Sequence, residues 1–463
     1  MTIREQLSNL ASQRILILDG AMGSMLQRHA LTEAEFRGER FAAHAGKVLG
    51  CNDVLCLSKP TLVSDIHEAY LKAGADIIET CSFNATAVSL AGFGIADCAY
   101  EISLAAASLA RKAADAWSAP EKPRFVAGSM GPTAKCAGIP SDFANPVQRA
   151  VTWDELSAAY YDNARGLLDG GADLLLVETV IDSVNAKAAL YAIGRLRNER
   201  GIDIPVIVSA SIAHGGRILS GQTLSAFYVA MSHADPIAIG MNCSFGATAM
   251  LPYLRQLAAV PCMVIAYPNA GTPNQAGDYD ETPALMAEAE ADFMSEGLVN
   301  IVGGCCGSTP EHIAAIAEKA VHYRPRALPK PSRVSPLLSG LEPGALPAQV
   351  AYDDRVETLV AAGDYDEAVE LLCSAAETGA SYIALRLDKE LPDAPLAMRT
   401  LVNLALSYPD IARLPFVIGG SRWPVVEAAL KCLPGRGLVD ASRLVGAGEA
   451  LIQRYGAAYL TNL

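Results

Sequence analysis

Three cysteines at the ends of two apolar runs are the residues in this sequence best suited to chemistry. Cys305 and Cys306 are adjacent and follow the run from Val299 to Gly303, and Cys243 ends a second run that begins at Pro236. Tetrahedral zinc takes thiolate ligands, and a catalytic zinc site has three protein ligands and an open fourth position. The spacing therefore predicts a site for zinc whose fourth ligand is the substrate.

The elements that must position these thiols are predicted from an alternation of apolar runs with amphipathic helical stretches. Such an alternation is typical of a parallel sheet with helical crossovers. The eight runs are Ile15 to Asp19, Ala75 to Thr80, Arg124 to Gly128, Asp173 to Glu178, Pro205 to Ala210, Ile237 to Asn242, Met263 to Tyr267 and Val299 to Gly303. Eight βα units predict a (β/α)8 TIM barrel, whose active site lies at the carboxyl ends of the strands.

Polar residues follow the predicted strands, at positions that would line one mouth of such a barrel. They include Asp19 with Gly20, Glu79 with Thr80, Glu178 with Thr179, Ser209, Asn242 and Asn269. Either Asp19 or Glu178, taken alone, would equally suit the cap of the following helix, because Asp, Ser and Thr often cap helices. The three thiols are harder to explain as core residues, since they lie beside glycines at strand ends.

The other eight cysteines show no spacing that suggests a metal site. Cys81 follows a strand end and its role stays open, whereas the others are interpreted as small core residues. These are Cys51, Cys56, Cys98, Cys136, Cys262, Cys373 and Cys432. An odd total of 11 cysteines, scattered along 463 residues, is typical of a reducing compartment rather than of a disulfide framework.

Composition and charge exclude several classes of partner. An apolar fraction of 51% predicts a sizeable core, and the length predicts two or three domains. A formal charge of -14 without a basic patch argues against nucleic acid and anionic lipid, which both require clustered Lys and Arg. The N-terminus lacks the apolar core of a signal peptide, and no run reaches the roughly 18 apolar residues of a membrane span. We therefore expect a cytoplasmic protein with no membrane partner.

Seven stretches of the sequence resemble the N-terminal part of cobalamin-dependent methionine synthase. They occur in the order of that family and extend over almost all of residues 10–325. The stretches are Asp19–Ser24, Leu31–Phe41, Ala73–Thr80, Gly171–Leu174, Leu219–Thr223, Pro268–Gly271 and Gly303–Gly307. The resemblance implies a homocysteine-binding barrel over residues 1–325, which would form methionine by methyl transfer.

The resemblance also implies roles for particular residues. In the family, zinc holds the substrate sulfur, and the matching ligand positions are Cys243, Cys305 and Cys306. The positions that match contacts to the amino-acid end of homocysteine are Asp19 and Glu178. Zinc suits this reaction because a free thiol, with a pKa of about 8.5, is mostly protonated at neutral pH, whereas a coordinated thiol is deprotonated.

Four further residues complete the predicted substrate site. Gly20 and Ser209 lie in regions that would offer backbone N–H groups or small polar groups to the substrate carboxylate, and Asn242 and Asn269 end strands at the same mouth. Cys81 departs from the resemblance, because the family has asparagine at this position.

Beyond the first barrel, residues 326–347 are predicted to form a proline-rich linker. Residues 348–463 resemble the start of the family's methyltetrahydrofolate-binding barrel, for example at Tyr365–Ala368. The positions expected to contact the pterin are changed, at Ala384–Leu387 and Gly419–Ser421. Because a pterin site depends on buried carboxylates and amides, we predict that this region does not bind folate.

The second unit has about five βα-like runs, which predicts a partial βα domain resembling half of a second TIM barrel. A half-barrel leaves an unpaired sheet edge, which proteins usually cover, pair or blunt. We expect this edge to pack on the first barrel, to form a homodimer or to dock a partner. A truncated chain is the alternative explanation.

The source of the methyl group is expected to be another molecule, since the family's cobalamin and reactivation domains have no counterpart in these 463 residues. Methylcobalamin carried by a separate corrinoid protein is the first expectation. The alternatives are a small donor such as S-methylmethionine, or a non-catalytic homocysteine-binding protein in which the half-barrel serves interactions.

Overall fold

Eight parallel strands form a barrel in the first two thirds of the chain. In this computed structural model, which describes residues 1–275, 277–330 and 338–460, they are β1 (Leu16–Ile17), β2 (Ile77–Glu79), β3 (Phe125–Met130), β4 (Leu174–Val180), β5 (Val206–Ala210), β6 (Ala238–Gly246), β7 (Met263–Asn269) and β8 (Ile301–Val302). The sheet order is β1-β8-β7-β6-β5-β4-β3-β2, and a parallel bridge between Leu18 and Ile77 joins its two ends. The predicted TIM barrel and its eight strands are confirmed.

Helices surround this barrel and carry the chain from each strand to the next. Their α-helical bounds are Ile3–Gln13, Met22–Gln27, Glu33–Arg37, Leu55–Ser58, Pro60–Ala73, Ala87–Leu90, Ala99–Trp117, Trp153–Asp169, Ser183–Arg200, Leu224–Met231, Ala247–Leu254, Pro283–Ser295 and Pro310–Ala320. Polar caps start several of them: Thr152 and Glu155 form a capping box before Trp153, and the Asp182 carboxylate accepts from the N–H of Val184. Among the described residues, no helix is long and apolar enough to cross a membrane.

The inside of the barrel is a packed core rather than a channel. Alternate strand residues such as Leu16, Ile77 and Leu174 point into it, while their neighbours pack outward against the helices. The first helix, Ile3–Gln13, contributes Leu7 and Ala11 to the same inner core, so it closes the end of the barrel opposite to the carboxyl ends of the strands.

A second, smaller sheet follows, with four parallel strands in sequence order: β9 (Ile383–Arg386), β10 (Phe416–Gly419), β11 (Leu438–Asp440) and β12 (Ala458–Leu460). Its helices are Asp354–Ala362, Tyr365–Glu377, Ala394–Ala405, Pro409–Ala412, Trp423–Leu430 and Glu449–Arg454. The predicted additional βα unit is present, with four strands among the described residues where about five were expected. Of the predicted linker, residues 331–337 lie outside the described residues.

The half-barrel packs on the outside of the first barrel. The buried amine of Lys187 donates to the carbonyls of Leu433 and Gly435, at 2.9 and 3.0 Å. The rings of Trp153 and Tyr455 stack across the same boundary, with centroids 5.9 Å apart. Of the three expectations for this unit, packing on the first barrel is the one that these contacts bear out.

The concave face of the half-barrel sheet is covered by the segment that leads into it. Leu338 packs on Val417 and Leu438. The Tyr352 hydroxyl donates to Asp440 at 2.9 Å, and a side chain at position 419 would collide with that hydroxyl. Tyr352 therefore fills the place that would face the lumen of a complete barrel.

Candidate functional site

One layer of the barrel interior, at the carboxyl ends of the strands, is polar instead of apolar. Successive strand residues alternate between the two faces of a sheet. Continuing the inner, apolar positions by two or four residues toward the carboxyl end therefore reaches a new set of inward side chains. They are Glu79 on β2, Ser129 on β3, Glu178 on β4, Ser209 on β5, Asn242 on β6, Asn269 on β7 and Cys305 beyond β8.

The three predicted zinc ligands meet at this layer. The thiol sulfurs of Cys243, Cys305 and Cys306 all lie within 4.8 Å of one another, and all three residues are half-buried. Hydrogen bonds from Cys243 and Cys305 lower the pKa of the Cys306 thiol to about 3, which favours its thiolate form. Thiolates grouped in this way are the donor set that Zn²⁺ prefers.

Asn242 supports the thiols from below. Its amide nitrogen Nδ2 donates to Thr179 Oγ1 at 2.8 Å and lies 3.8 Å from Cys305 Sγ, while its Oδ1 accepts from Ser209 Oγ at 2.7 Å. Thr179 and Cys243 have φ values of +51° and +49°, which are unusual for residues other than glycine. Backbone held in this region concentrates at functional sites, where the surroundings impose it.

A cavity of about 390 Å³ opens directly beside the thiols. Its lining residues are Ala21, Met22, Gly23, Ser24, Gln27, Asn52, Asp53, Glu79, Thr80, Cys81, Ser82, Phe83, Asn84, Ser129, Glu178, Thr179, Cys243, Gly277, Tyr279, Cys305 and Cys306. Within the described part of the chain, no lysine or arginine lines it, so the cavity is suited to a ligand that brings its own positive charge.

Three carboxyl groups lie close together here, Glu79 and Glu178 on the cavity wall and Asp19 behind it. Burial raises the pKa of Glu178 to about 7, although Ser129 Oγ and Thr179 Oγ1 both donate to its oxygens. Burial also raises the pKa of Asp19, whose Oδ2 accepts from the N–H of Glu79 at 3.0 Å. The pKa of Glu79 is raised by burial and by the nearby charges of Glu178 and Asp19.

The structure places the other predicted substrate residues behind the cavity wall. Ser209 is fully buried and bonds to Asn242, and Asp19 and Asn269 are buried with their Oδ1 atoms unpaired among the described residues. Gly20 lies where a side chain would come within 2.8 Å of Tyr70 and of Ser308 Oγ. Of the six residues predicted to bind substrate, only Glu178 lines the cavity directly.

The capping alternative for the two predicted carboxylates does not apply. The helix after β1 has Ala21 as its N-cap, and the helix after β4 is capped by Asp182. Asp19 and Glu178 therefore keep their carboxyl groups for the interior of the barrel mouth.

Several residues of the site were not singled out by the sequence. Ser129 continues the inward alternation of Phe125 and Ala127, so the period of β3 would have identified it. Tyr279 comes from the loop between β7 and helix Pro283–Ser295, and its hydroxyl helps to lower the pKa of Cys306. No motif or period points to a loop residue of this kind. Cys81, by contrast, follows a strand end in the sequence and lines the cavity, as a position near the barrel mouth implies.

The arrangement can hold a soft metal ion, bind a cationic group beside carboxylates and admit a thiol to the metal.

Solved structures with a similar fold include two forms of the homocysteine methyltransferase MmuM from Escherichia coli. The oxidized form has a TM-score of 0.51 and 23% identity, covering 67% of this chain and 97% of that chain. The metallated form has a TM-score of 0.50 and 24% identity, covering 67% and 98%.

The family model described as homocysteine S-methyltransferase matches residues 16–320, which contain all eight barrel strands and all three grouped thiols. This match extends over more than half of the 463 residues. The chain therefore belongs to the homocysteine S-methyltransferase family.

Proposed function

We propose that this protein is a zinc-dependent homocysteine S-methyltransferase of the methionine synthase type. The observation that carries the proposal is the position of three thiols on the wall of a cavity that has carboxyl groups at its base. A thiol substrate with an ammonium group at its other end matches both features.

The residues present fit a zinc ion. Cys243, Cys305 and Cys306 would hold it, and the adjoining cavity leaves room for one more ligand. When bound, zinc would supply a deprotonated substrate thiol at neutral pH. Asn242 holds Cys305 through Nδ2, and Tyr279 approaches Cys306, so both side chains fix the thiols in place.

The carboxyl groups at the base of the cavity would bind the amino-acid end of the substrate. Glu178 lines the cavity and would face the substrate ammonium, and the carboxyl group of Asp19 lies behind it. Ser209 and Asn242 orient Thr179 and the thiols rather than touching the substrate.

We further propose that the methyl group comes from methylcobalamin on a separate corrinoid protein. The support is the sequence resemblance to the cobalamin-dependent synthase, which includes Gly303–Gly307 and Asp19–Ser24. The thiols are half-buried beside a cavity, so a donor would approach the substrate sulfur through that cavity.

A small donor such as S-methylmethionine is the second candidate. The observation that favours it is the far wall of the cavity, where Asn52, Asp53 and Asn84 lie beyond the thiols. Asp53 is buried, and a carboxyl group on this wall would suit a cationic sulfonium donor.

We also propose the division into a homocysteine-binding barrel (1–325), a linker (326–347) and a half-barrel (348–463) that does not bind folate. Tyr352 supports the last point, because it occupies the inner face on which a barrel ligand would lie. A homodimer through the edges of this sheet stays a prediction.

The test is methyl transfer to homocysteine by the zinc-loaded protein, with free methylcobalamin or S-methylmethionine as donor. Methionine formation would be measured, together with the change in the cobalamin spectrum. We expect turnover with methylcobalamin that Cys306→Ala abolishes, with Cys373→Ala as a control that retains it. Turnover with S-methylmethionine alone would select the small donor, and none with either donor would overturn the proposed activity.

A further inference from the structure

Among the described residues, Glu79 has no hydrogen-bond donor, unlike the other two carboxyl groups at the base of the cavity. Its side chain points inward from the end of β2 and lines the cavity, and its Oε1 is buried. Among the described residues, no hydrogen bond reaches either of its carboxyl oxygens. By contrast, Asp19 accepts from the N–H of Glu79, and Glu178 accepts from two hydroxyls.

This difference decides which carboxyl group holds a proton. Neighbouring buried carboxyl groups cannot all ionise, because like charges at short range disfavour one another. Hydrogen bonds stabilise the ionised forms of Asp19 and Glu178, whereas Glu79 has only burial and the two like charges acting on it. Of the three groups, Glu79 is therefore the one most favoured to keep a proton.

Among the described residues, no positive side chain acts on Glu79 itself, and Arg28 acts on the neighbouring Tyr70 hydroxyl. The groups that face Glu79 from the surrounding elements are Asp19, Glu178 and the hydroxyls of Tyr70 and Tyr267. Both tyrosine hydroxyls are protonated, because burial raises their pKa above the ordinary value. The single positive charge expected in the site is the ammonium of the substrate, so a third ionised carboxyl group would have no counter-charge.

The substrate carboxylate thus enters a cavity that, in the described part of the chain, no lysine or arginine lines. An anion there needs a neutral donor, and a protonated carboxyl group makes a strong O–H···O⁻ hydrogen bond. We propose that Glu79 is a neutral carboxylic acid that donates a hydrogen bond to the carboxylate of the amino-acid substrate. The inference rests on the proposed function, in which that substrate is homocysteine.

The division of labour follows from this assignment. Glu178 and Asp19 recognise the ammonium group of the substrate. Glu79 recognises the substrate carboxylate, which is bonded to the same carbon atom as the ammonium. The proton of Glu79 stays on its oxygen, so the group binds substrate and takes no part in methyl transfer. Thiols that lack the carboxylate lose this contact and keep the others.

The experiment measures binding by calorimetry of homocysteine and two truncated thiols to the zinc-loaded protein. 3-Mercaptopropylamine lacks only the carboxylate, and 4-mercaptobutanoate lacks only the amine. The variants are Glu79→Gln, which keeps a neutral donor of the same shape, Glu79→Ala, which removes it, and Glu178→Gln as the matched change at the second carboxyl group.

We expect Glu79→Ala to weaken homocysteine and 4-mercaptobutanoate about tenfold or more and to change 3-mercaptopropylamine less than about twofold. Glu79→Gln should bind homocysteine within about threefold of the unaltered protein. Glu178→Gln should show the opposite preference and weaken the amine-bearing thiols.

Two results would overturn the inference. One is a loss of 3-mercaptopropylamine binding in Glu79→Gln as large as in Glu178→Gln, which would mean that Glu79 is ionised and binds the ammonium. The other is equal binding of all thiols by Glu79→Ala and the unaltered protein. If the unaltered protein binds no homocysteine at all, the proposed function fails instead, so the two failures are distinguishable.

Discussion

The sulfur atoms of Cys243 and Cys306 lie 3.4 Å apart, although 63 positions separate them in the chain. β6 brings the first thiol and β8 leads to the second, and β7 lies between these two strands in the sheet. The pairing of these three strands therefore brings the cysteine sulfurs together, and no local turn does so.

Replacing one thiol should remove the metal. We expect Cys306→Ala to bind zinc at least about 10-fold more weakly, because two thiolates remain where three are needed. Zinc content after dialysis against a weak chelator measures this. The matched control is Cys373→Ala in the half-barrel. Cys373 is half-buried and far in sequence from the three cysteines of the predicted zinc site. Equal zinc content in both variants would contradict the ligand assignment.

Much of this arrangement could be predicted from the sequence, because its signals are local. Each strand is a short apolar run, and parallel strands present their carboxyl ends at one mouth. The adjacent pair Cys305 and Cys306 and the single Cys243 follow such runs, so their convergence follows from the fold class.

The remaining features depend on tertiary packing, which the hydrophobic periodicity of the sequence does not indicate. Ser209 and Asn269 end strands like true cavity residues, yet both are buried and neither lines the cavity. Tyr279 reaches the thiols from a loop. The unpaired sheet edge predicts that the half-barrel packs against something, but it does not indicate where. The contacts come from Lys187 and Trp153, two helix residues of the first barrel that no sequence motif marks.

Asn242 should control metal affinity without binding the metal. Its Nδ2 contacts both Thr179 Oγ1 and Cys305 Sγ. Asn242→Ala therefore removes a contact from the predicted zinc ligand Cys305 and another from Thr179, whose φ is positive. Loss of such a support typically costs about 10- to 100-fold in metal affinity. Competition with a chromophoric chelator measures it. Asn145→Ala, in the exposed loop after β3, is the control, and equal affinities would show that Asn242 does not support the site.

Asp53 should make stability depend on pH. Burial raises its pKa to about 6 from an ordinary value of 3.8. The pKa of Asp53 is higher in the folded protein than in the unfolded chain, so protonation of Asp53 stabilises the fold. This stabilisation is complete when the pH is below the unfolded-state pKa of 3.8, and it is lost as the pH rises through about 6. The loss is about 3 kcal/mol at most, since one unit corresponds to about 1.4 kcal/mol.

Asp53→Asn tests this dependence, because asparagine keeps an oxygen that accepts from the N–H of Asn84. We expect the variant to gain stability over the unaltered protein as pH rises from about 4 to about 8. Urea denaturation at several pH values measures the difference. Asp142→Asn, on an exposed loop, is the control. A difference that stays constant with pH would show that Asp53 ionises as freely in the folded protein as in the unfolded chain.

The contact between Trp153 and Tyr455 should determine whether the half-barrel stays docked. Trp153 is 4% exposed at the start of a barrel helix, and its ring packs against both Tyr455 of the half-barrel and Tyr191 of the next barrel helix. Trp153→Ala would leave a cavity at this boundary, and such changes cost about 3–5 kcal/mol.

We expect Trp153→Ala to lower the urea midpoint and to expose the half-barrel to protease at concentrations that leave the unaltered protein intact. The matched control is Trp117→Ala, since Trp117 is 37% exposed at the end of its helix and should change the midpoint little. Cleavage that begins within residues 348–460, while the barrel remains whole, is the expected pattern for a released half-barrel. If both tryptophan variants resist protease equally, other contacts such as those of Lys187 hold the unit, and the aromatic stack is not the main attachment.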